Sequence, residues 1–208
     1  MLGDHADTLV AMTRPCARVA IIANALDNFP DFQRSYLSNE VHPLFARHGF
    51  VTEDFDLRSY FDRNDALAAD LSAFDIIWAT GGNSFLLRRA MRASGFDKII
   101  RPLLEQTNLV YGGWSAGSVV AACDLFGIDH VDDPHATAPG YPTGETLWEG
   151  LGLIDCSLVP HVESDHPESP AATESVALIR ASGRRVQPLR DGEVMVVENG
   201  QAVVLAAR

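Results

Sequence analysis

Apolar residues in this chain fall into short solid runs separated by longer stretches with helical spacing. Residues 18–23 (RVAIIA) and 74–79 (FDIIWA) are continuous apolar runs too short for helices, the pattern of strands buried on both faces. Residues 50–55 and 108–111 read as two more strands, and 151–159 as a fifth. Residues 31–48 place Phe32, Tyr36, Leu37, Val41, Leu44 and Phe45 at helical spacing, with Gly49 as a C-cap. Residues 64–73, 85–94 (closed by Gly95), 96–106 and 170–182 (closed by Gly183) predict further helices, and the chain after the fourth strand predicts a short one over 119–123. The turn dipeptides Asp191-Gly192 and Asn199-Gly200 flank the apolar segment 193–197, and 202–205 follows, which predicts a terminal antiparallel hairpin.

Strands alternating with helices imply βαβ units. The predicted fold class is α/β, a mostly parallel sheet flanked by helices with a C-terminal antiparallel hairpin. A length of 208 residues suits one domain, with residues 1–16 expected to be a loosely ordered extension. Residues 124–149 hold several prolines and glycines and show no periodicity, so they read as a long surface loop of the kind that often carries function. Sites in such sheets lie beyond the carboxyl ends of the strands. Gly81-Gly82-Asn83, Trp114 to Gly117 and His161 all fall at predicted strand ends.

Composition narrows the function. The chain is 47% apolar and 21% charged, ordinary for a globular protein. Its formal charge of -12 argues against nucleic-acid partners and against anionic membrane surfaces. No apolar run approaches the roughly 20 residues that span a bilayer. Cys16, Cys123 and Cys156 are odd in number and widely spaced, with no disulfide framework or zinc pattern, which points to free thiols in a reducing, cytoplasmic setting. The start of the chain carries Asp4, His5 and Asp7 and is not a secretory signal.

The chemistry centres on Gly113-Trp114-Ser115-Ala116-Gly117, a G-x-S-x-G match between an apolar strand and a helix. A nucleophile lifted above a sheet needs a strained turn, and small neighbours let the chain bend tightly. The serine needs a base. His161 follows a strand end downstream and is the candidate; His130 and His135 lie in the long loop, and His166 is placed to line the same mouth. The base needs an orienting carboxylate. Glu163, two residues after His161, and Asp129, in the loop after the nucleophile, compete for that role, and spacing settles neither. Asp132, Asp133 and Asp165 are nearby acids with a solvated role as the default. For the oxyanion, the N–H of Ala116 is one donor and the Gly81-Gly82-Asn83 turn offers the other, although Asn83 or Ser84 is equally placed as a helix N-cap.

Thr80-Gly81-Gly82-Asn83-Ser84-Phe85, then Gly113-Trp114-Ser115-Ala116-Gly117-Ser118, then Pro160-His161 resemble the peptidase E family over residues 17–205. These are serine peptidases of the class I glutamine amidotransferase-like fold. The resemblance implies Ser115 as nucleophile, His161 as base, Gly82 and Ala116 as oxyanion donors, and neither metal nor organic cofactor. It implies a small-peptide substrate, and it leaves a homodimer open. In peptidase E proper the third triad member is an aspartate after the nucleophile helix, here nearest to Asp129 with a one-residue gap, whereas the broader fold places a glutamate two residues after the histidine, where Glu163 stands without a gap, so the resemblance favours Glu163. Peptidase E also cleaves dipeptides with an N-terminal aspartate and uses an arginine early in the helix after the histidine. The matching stretch, Ala171-Ala172-Thr173-Glu174-Ser175, has none, so an aspartyl preference is not expected.

Two other readings compete. An α/β-hydrolase esterase shares the elbow but would need an oxyanion segment this chain lacks. A non-catalytic, small-molecule-binding member of the fold would need a disabled triad.

Overall fold

The computed structural model describes residues 5–61 and 63–208. Four strands, β1 (Arg18–Ile22), β2 (Val51–Asp54), β3 (Ile76–Ala79) and β4 (Val110–Gly113), form a parallel sheet in the order β2-β1-β3-β4. The apolar runs of β1 and β3 are buried on both faces, as their lack of alternation predicts. Ala20, Ile22, Ile77 and Ala79 pack one way against Leu57, Leu67, Leu86, Met91 and Phe96. Val19, Ile21, Ile76 and Trp78 pack the other way against Leu37, Val41, Phe45 and Phe50.

The remaining helices are α1 (Ala6–Ala11), α2 (Pro30–Tyr36), α3 (His42–Ala46), α4 (Leu67–Leu71), α5 (Ser84–Ser94), α6 (Phe96–Gln106), α7 (Ala116–Val119) and α8 (Ser169–Ala181). The single helix expected over 31–48 is divided by a π turn at Leu37–Val41. Pro43 explains it: proline has no N–H to donate and its ring crowds the carbonyl four residues back, so the chain widens by one residue there. The helix α5 ends at Gly95 in the left-handed conformation, and α6 starts from the same residue.

Several expectations are corrected. The helix after β4 begins at Ala116 and ends at Val119, earlier than the expected 119–123. Of the expected strand 151–159, only β5 (Ser157–Val159) is extended. It pairs in parallel with an unforeseen strand, β6 (Val186–Pro188), apart from the four-stranded sheet. The hairpin is as expected, β7 (Val194–Glu198) against β8 (Gln201–Leu205). From His5 onward the N-terminal segment is docked rather than loose: Ala6 and Leu9 are buried in the second cluster, and His5 Nε2 lies 2.8 Å from the Ala206 carbonyl oxygen.

The long loop is pinned. Asp124 and Glu149 form an isolated antiparallel bridge that closes its ends. Tyr141 reaches from it to the end of β1, donating to Asp27 Oδ2 at 2.5 Å. Asp27, 1% exposed, also accepts from Asn24 at 2.7 Å and Gln33 at 2.8 Å. Both carboxylate oxygens of Asp27 have partners, the condition under which a buried network rigidifies a loop. A third apolar cluster joins Phe85, Val119, Leu125, Ile128, Val159, Val162 and Val176, and so fixes α5, α7, the loop, β5 and α8 around one cleft.

Candidate active site

Ser115 sits between β4 and α7 at φ 48° and ψ -123°. That backbone is costly for a residue with a Cβ and persists only where the surroundings enforce it. Here packing enforces it. A Cβ on Gly117 would lie 2.1 Å from the Ala79 carbonyl oxygen, so only glycine lets α7 close on β3. Tyr111 Oη donates to the Gly117 carbonyl at 2.8 Å, and Ser118 Oγ to the Ser115 carbonyl at 2.7 Å. Trp114 points away into the second apolar cluster.

His161 and Glu163 also adopt positive φ, 62° and 49°. Of the five such non-glycine residues among those described, three therefore fall in these two segments. The kink at 161–163 keeps Val162 in the core while leaving His161 on the cleft that Ser115 lines. Both line one narrow cleft, together with Ser84, Ala116, Val119, Ile128, Val131, Asp132, Val159, Pro160 and Glu168, and it is partly open to solvent.

The carboxylate on His161 is neither of the two expected. Asp191 Oδ1 lies 2.7 Å from His161 Nδ1. Glu163 instead points outward and pairs with Arg190. Asp129 is exposed on a 3-10 turn, Ile128–His130. Asp191 is placed by its backbone, whose N–H donates to Ser164 Oγ at 2.8 Å. With Nδ1 held, His161 Nε2 is left buried without a partner. The His166 ring stacks on His161 with centroids 3.8 Å apart and planes 10° from parallel.

On the glycine side, a Cβ on Gly81 would come within 3.1 Å of Ser115 Cβ, so its backbone lies directly over the serine. Gly82 has φ 132°, which only glycine adopts without strain. Asn83 is committed to structure. Its Oδ1 caps α5 by accepting from Leu86 N–H at 2.8 Å, its Nδ2 donates to the Asp133 carbonyl at 2.9 Å, and its own N–H donates to the Ala25 carbonyl at 2.9 Å. It is thus an N-cap and a strap to the loop rather than an oxyanion donor.

Asp132 is half-buried in the cleft and accepts from Ser84 N–H at 2.8 Å. Burial pushes its carboxyl up to about 6; the Ser84 hydrogen bonding opposes this, and the Glu168 carboxylate adds to it. His161, His166 and Glu168 bring ligand-type atoms within 4.8 Å of one another. Parallel stacking keeps the in-plane lone pairs of the two rings from converging on one ion, so a metal would require one ring to turn.

Asp191 is the residue that sequence reasoning missed. Asp191-Gly192 reads as a turn signal, and only the neighbouring strand β6 reveals that this turn overhangs His161. The signal available was an acid just past a short apolar segment, at the same edge as Pro160-His161.

Fold and site together define an α/β protein with a mostly parallel sheet flanked by helices and a C-terminal antiparallel hairpin, in which a serine on a strained strand-to-helix turn shares a cleft with a carboxylate-held histidine. The chain belongs to peptidase family S51, whose family model matches residues 15–205. It is 26% identical over 143 residues to the uncharacterized peptidase Lin0382 of Listeria innocua serovar 6a, a match spanning 69% of this chain and 65% of that protein, just under two thirds. It is 23% identical over 155 residues to the uncharacterized peptidase Lmo0363 of Listeria monocytogenes serovar 1/2a, spanning 74% and 71%. Among solved structures, a candidate peptidase E protein from Listeria monocytogenes EGD-e shares the fold at TM-score 0.78 and 18% identity, over 100% of this chain and 95% of that one. A peptidase from an acI-B1 Actinobacterium matches at TM-score 0.56 and 14% identity, over 98% and 77%. Among the described residues, no helix is long and apolar enough to cross a membrane.

Proposed function

We propose that this protein is a serine peptidase that hydrolyses small peptides through an acyl-enzyme on Ser115, with His161 as base and Asp191 as its orienting acid. The observation that carries the reading is the 2.7 Å contact between Asp191 Oδ1 and His161 Nδ1, which leaves Nε2 buried, unpartnered and in the same cleft as Ser115. A carboxylate on Nδ1 fixes the tautomer with Nε2 as the acceptor and stabilises the imidazolium once it forms.

In this mechanism Ser115 Oγ attacks the scissile carbonyl carbon while its proton passes to His161 Nε2. The oxyanion accepts hydrogen bonds from the N–H groups of Gly82 and Ala116, with Gly81 letting the carbonyl approach the serine closely. His161 then gives its proton to the leaving amine, which departs and leaves the acyl-enzyme. Water attacks the ester while His161 takes its proton, and His161 then returns that proton to Ser115 Oγ as the carboxylic acid product leaves. The free state of Cys16, Cys123 and Cys156 supports a reducing, cytoplasmic setting.

The test is active-site labelling combined with turnover. A fluorophosphonate probe should label the protein once, at Ser115, and a dipeptide and tripeptide library should be hydrolysed. Ser115→Ala should abolish both, with at least about a 10³-fold loss of turnover. Peptide hydrolysis undiminished in Ser115→Ala would overturn the reading.

A further inference from the structure

The cleft beside Ser115 has one sign of charge. Its ionisable lining residues are Asp132, His161 and Glu168, and no lysine or arginine is among the residues that line it. Asp132 comes from the long loop and Glu168 from the residue before α8, so two separate elements bring carboxylates to one space. Ser84, 1% exposed, also lines the cleft, beside Asp132. Its hydroxyl is buried beside the Asp132 carboxyl yet makes no well-formed hydrogen bond. A buried hydroxyl left in that state costs free energy that a bound ligand would recover. Asp132 is the more buried of the two acids, whereas Glu168 is partly exposed with its Oε2 3.8 Å from His166 Nδ1; their mutual repulsion is a cost that a cation placed between them offsets.

Resting on the peptidase reading above, we propose that Asp132, Glu168 and Ser84 form a subsite for a protonated nitrogen of the substrate, so that the enzyme takes peptides presenting an ammonium rather than a carboxylate beside the scissile bond. The two carboxylates accept from the N–H groups of the cation, and the Ser84 hydroxyl supplies a third acceptor. A carboxylate in the same place would face two like charges with no arginine to meet it, and residues 171–175 supply none. The same nitrogen chemistry is offered by a free α-amine and by a basic side chain.

The experiment measures kcat/KM for p-nitroanilides of alanine, lysine and aspartate, each with a free and an acetylated α-amine, on the full chain and on Asp132→Asn and Glu168→Gln. The expected result is that free alanyl or lysyl anilides are cleaved at least about tenfold faster than the acetyl-aspartyl one, and that both variants shrink this ratio, mainly through KM. Activity lost on acetylating both substrates assigns the α-ammonium; activity kept by acetyl-lysyl anilide alone assigns the side chain. An acetyl-aspartyl anilide that is cleaved as well as the cationic ones, or a ratio unchanged in both variants, overturns the proposal. Fluorophosphonate labelling of the same samples separates the two failures. Labelled protein without cationic preference sinks the subsite alone, and unlabelled, inactive protein sinks the peptidase reading with it.

Discussion

Asp191 and His161, 30 residues apart, meet because β5 and β6 run side by side. The parallel register pairs Val159 with Pro188, so the chain leaves both strands at the same edge. Val162 N–H donates to the Leu189 carbonyl at 3.0 Å and Leu189 N–H to the Val159 carbonyl at 2.9 Å, which carries the pairing one step past the strands. His161 and Asp191 are the next side chains out.

This contact predicts which acid matters. Asp191→Asn should lose activity by up to about 10⁴-fold, since the amide favours the wrong imidazole tautomer. Glu163→Gln breaks only an exposed pair with Arg190, of a kind worth about 0–1 kcal/mol, and should stay within about tenfold of wild type. Asp129→Asn should do the same. Kinetics on the three variants decide the matter, and a Glu163→Gln loss larger than that of Asp191→Asn would remove Asp191 from the mechanism.

A second prediction concerns the turn beneath Ser115. Gly117→Ala forces a Cβ to within 2.1 Å of a backbone oxygen that cannot move without shifting β3. It should cost about 1–3 kcal/mol or more and reduce fluorophosphonate labelling. Gly144→Ala, where a Cβ meets nothing within 4 Å, should change stability by less than about 0.5 kcal/mol. Urea midpoints for the pair check this; equal midpoints would mean that the elbow is not tightly packed.

The elements that the sequence revealed most sharply are those whose burial is local. The runs of β1 and β3, the caps at Gly95 and Asn83 and the G-x-S-x-G turn each signal themselves within a few residues. The site was legible up to His161 for the same reason. Its orienting acid was not, because β6 is three residues long, half-buried and ends in proline, leaving no periodicity to read. Asp132 was hidden differently. Nothing in an acidic loop sequence says which acid folds inward, and only its bond from Ser84 N–H and the closure of the loop by Tyr141 and Asp27 turn this one into the cleft.

A third prediction concerns the buried cation on α5. Arg88, 2% exposed, bonds Asp97 Oδ2 at 3.0 Å and donates to the Glu149 carbonyl at 2.7 Å, tying α5 to α6 and to the end of the long loop. Asp97→Ala leaves that guanidinium buried without its carboxylate and should cost about 3–5 kcal/mol. Arg92→Ala removes a half-exposed partner of the same aspartate and should cost about 1 kcal/mol or less. Denaturant unfolding of both variants reads the difference, and similar losses would show that Arg88 finds other partners.

The last prediction is a pH dependence. The Asp132 carboxyl titrates near 6 in the folded protein, against 3.8 for the ordinary group, chiefly because burial disfavours its charge. Between those values the folded state holds a proton that the unfolded chain has released, so stability falls as pH rises through this window. Asp132→Asn has no such proton. Its stability relative to wild type should therefore climb from pH 4 to about 6.5 and level off above, by at most about 3 kcal/mol and less where solvent reaches the group. The other ionisable groups facing Asp132, Glu168 and His161, are present in both proteins and largely cancel in the difference. The measurement is urea unfolding of the two proteins at half-unit steps of pH. A flat difference, or one that falls with pH, would mean that Asp132 ionises as an exposed acid does. If the climb is found, lysine amide should stabilise the wild type more than the variant at pH 7.5 and lose that advantage at pH 4.5, because only the ionised carboxylate attracts the cation.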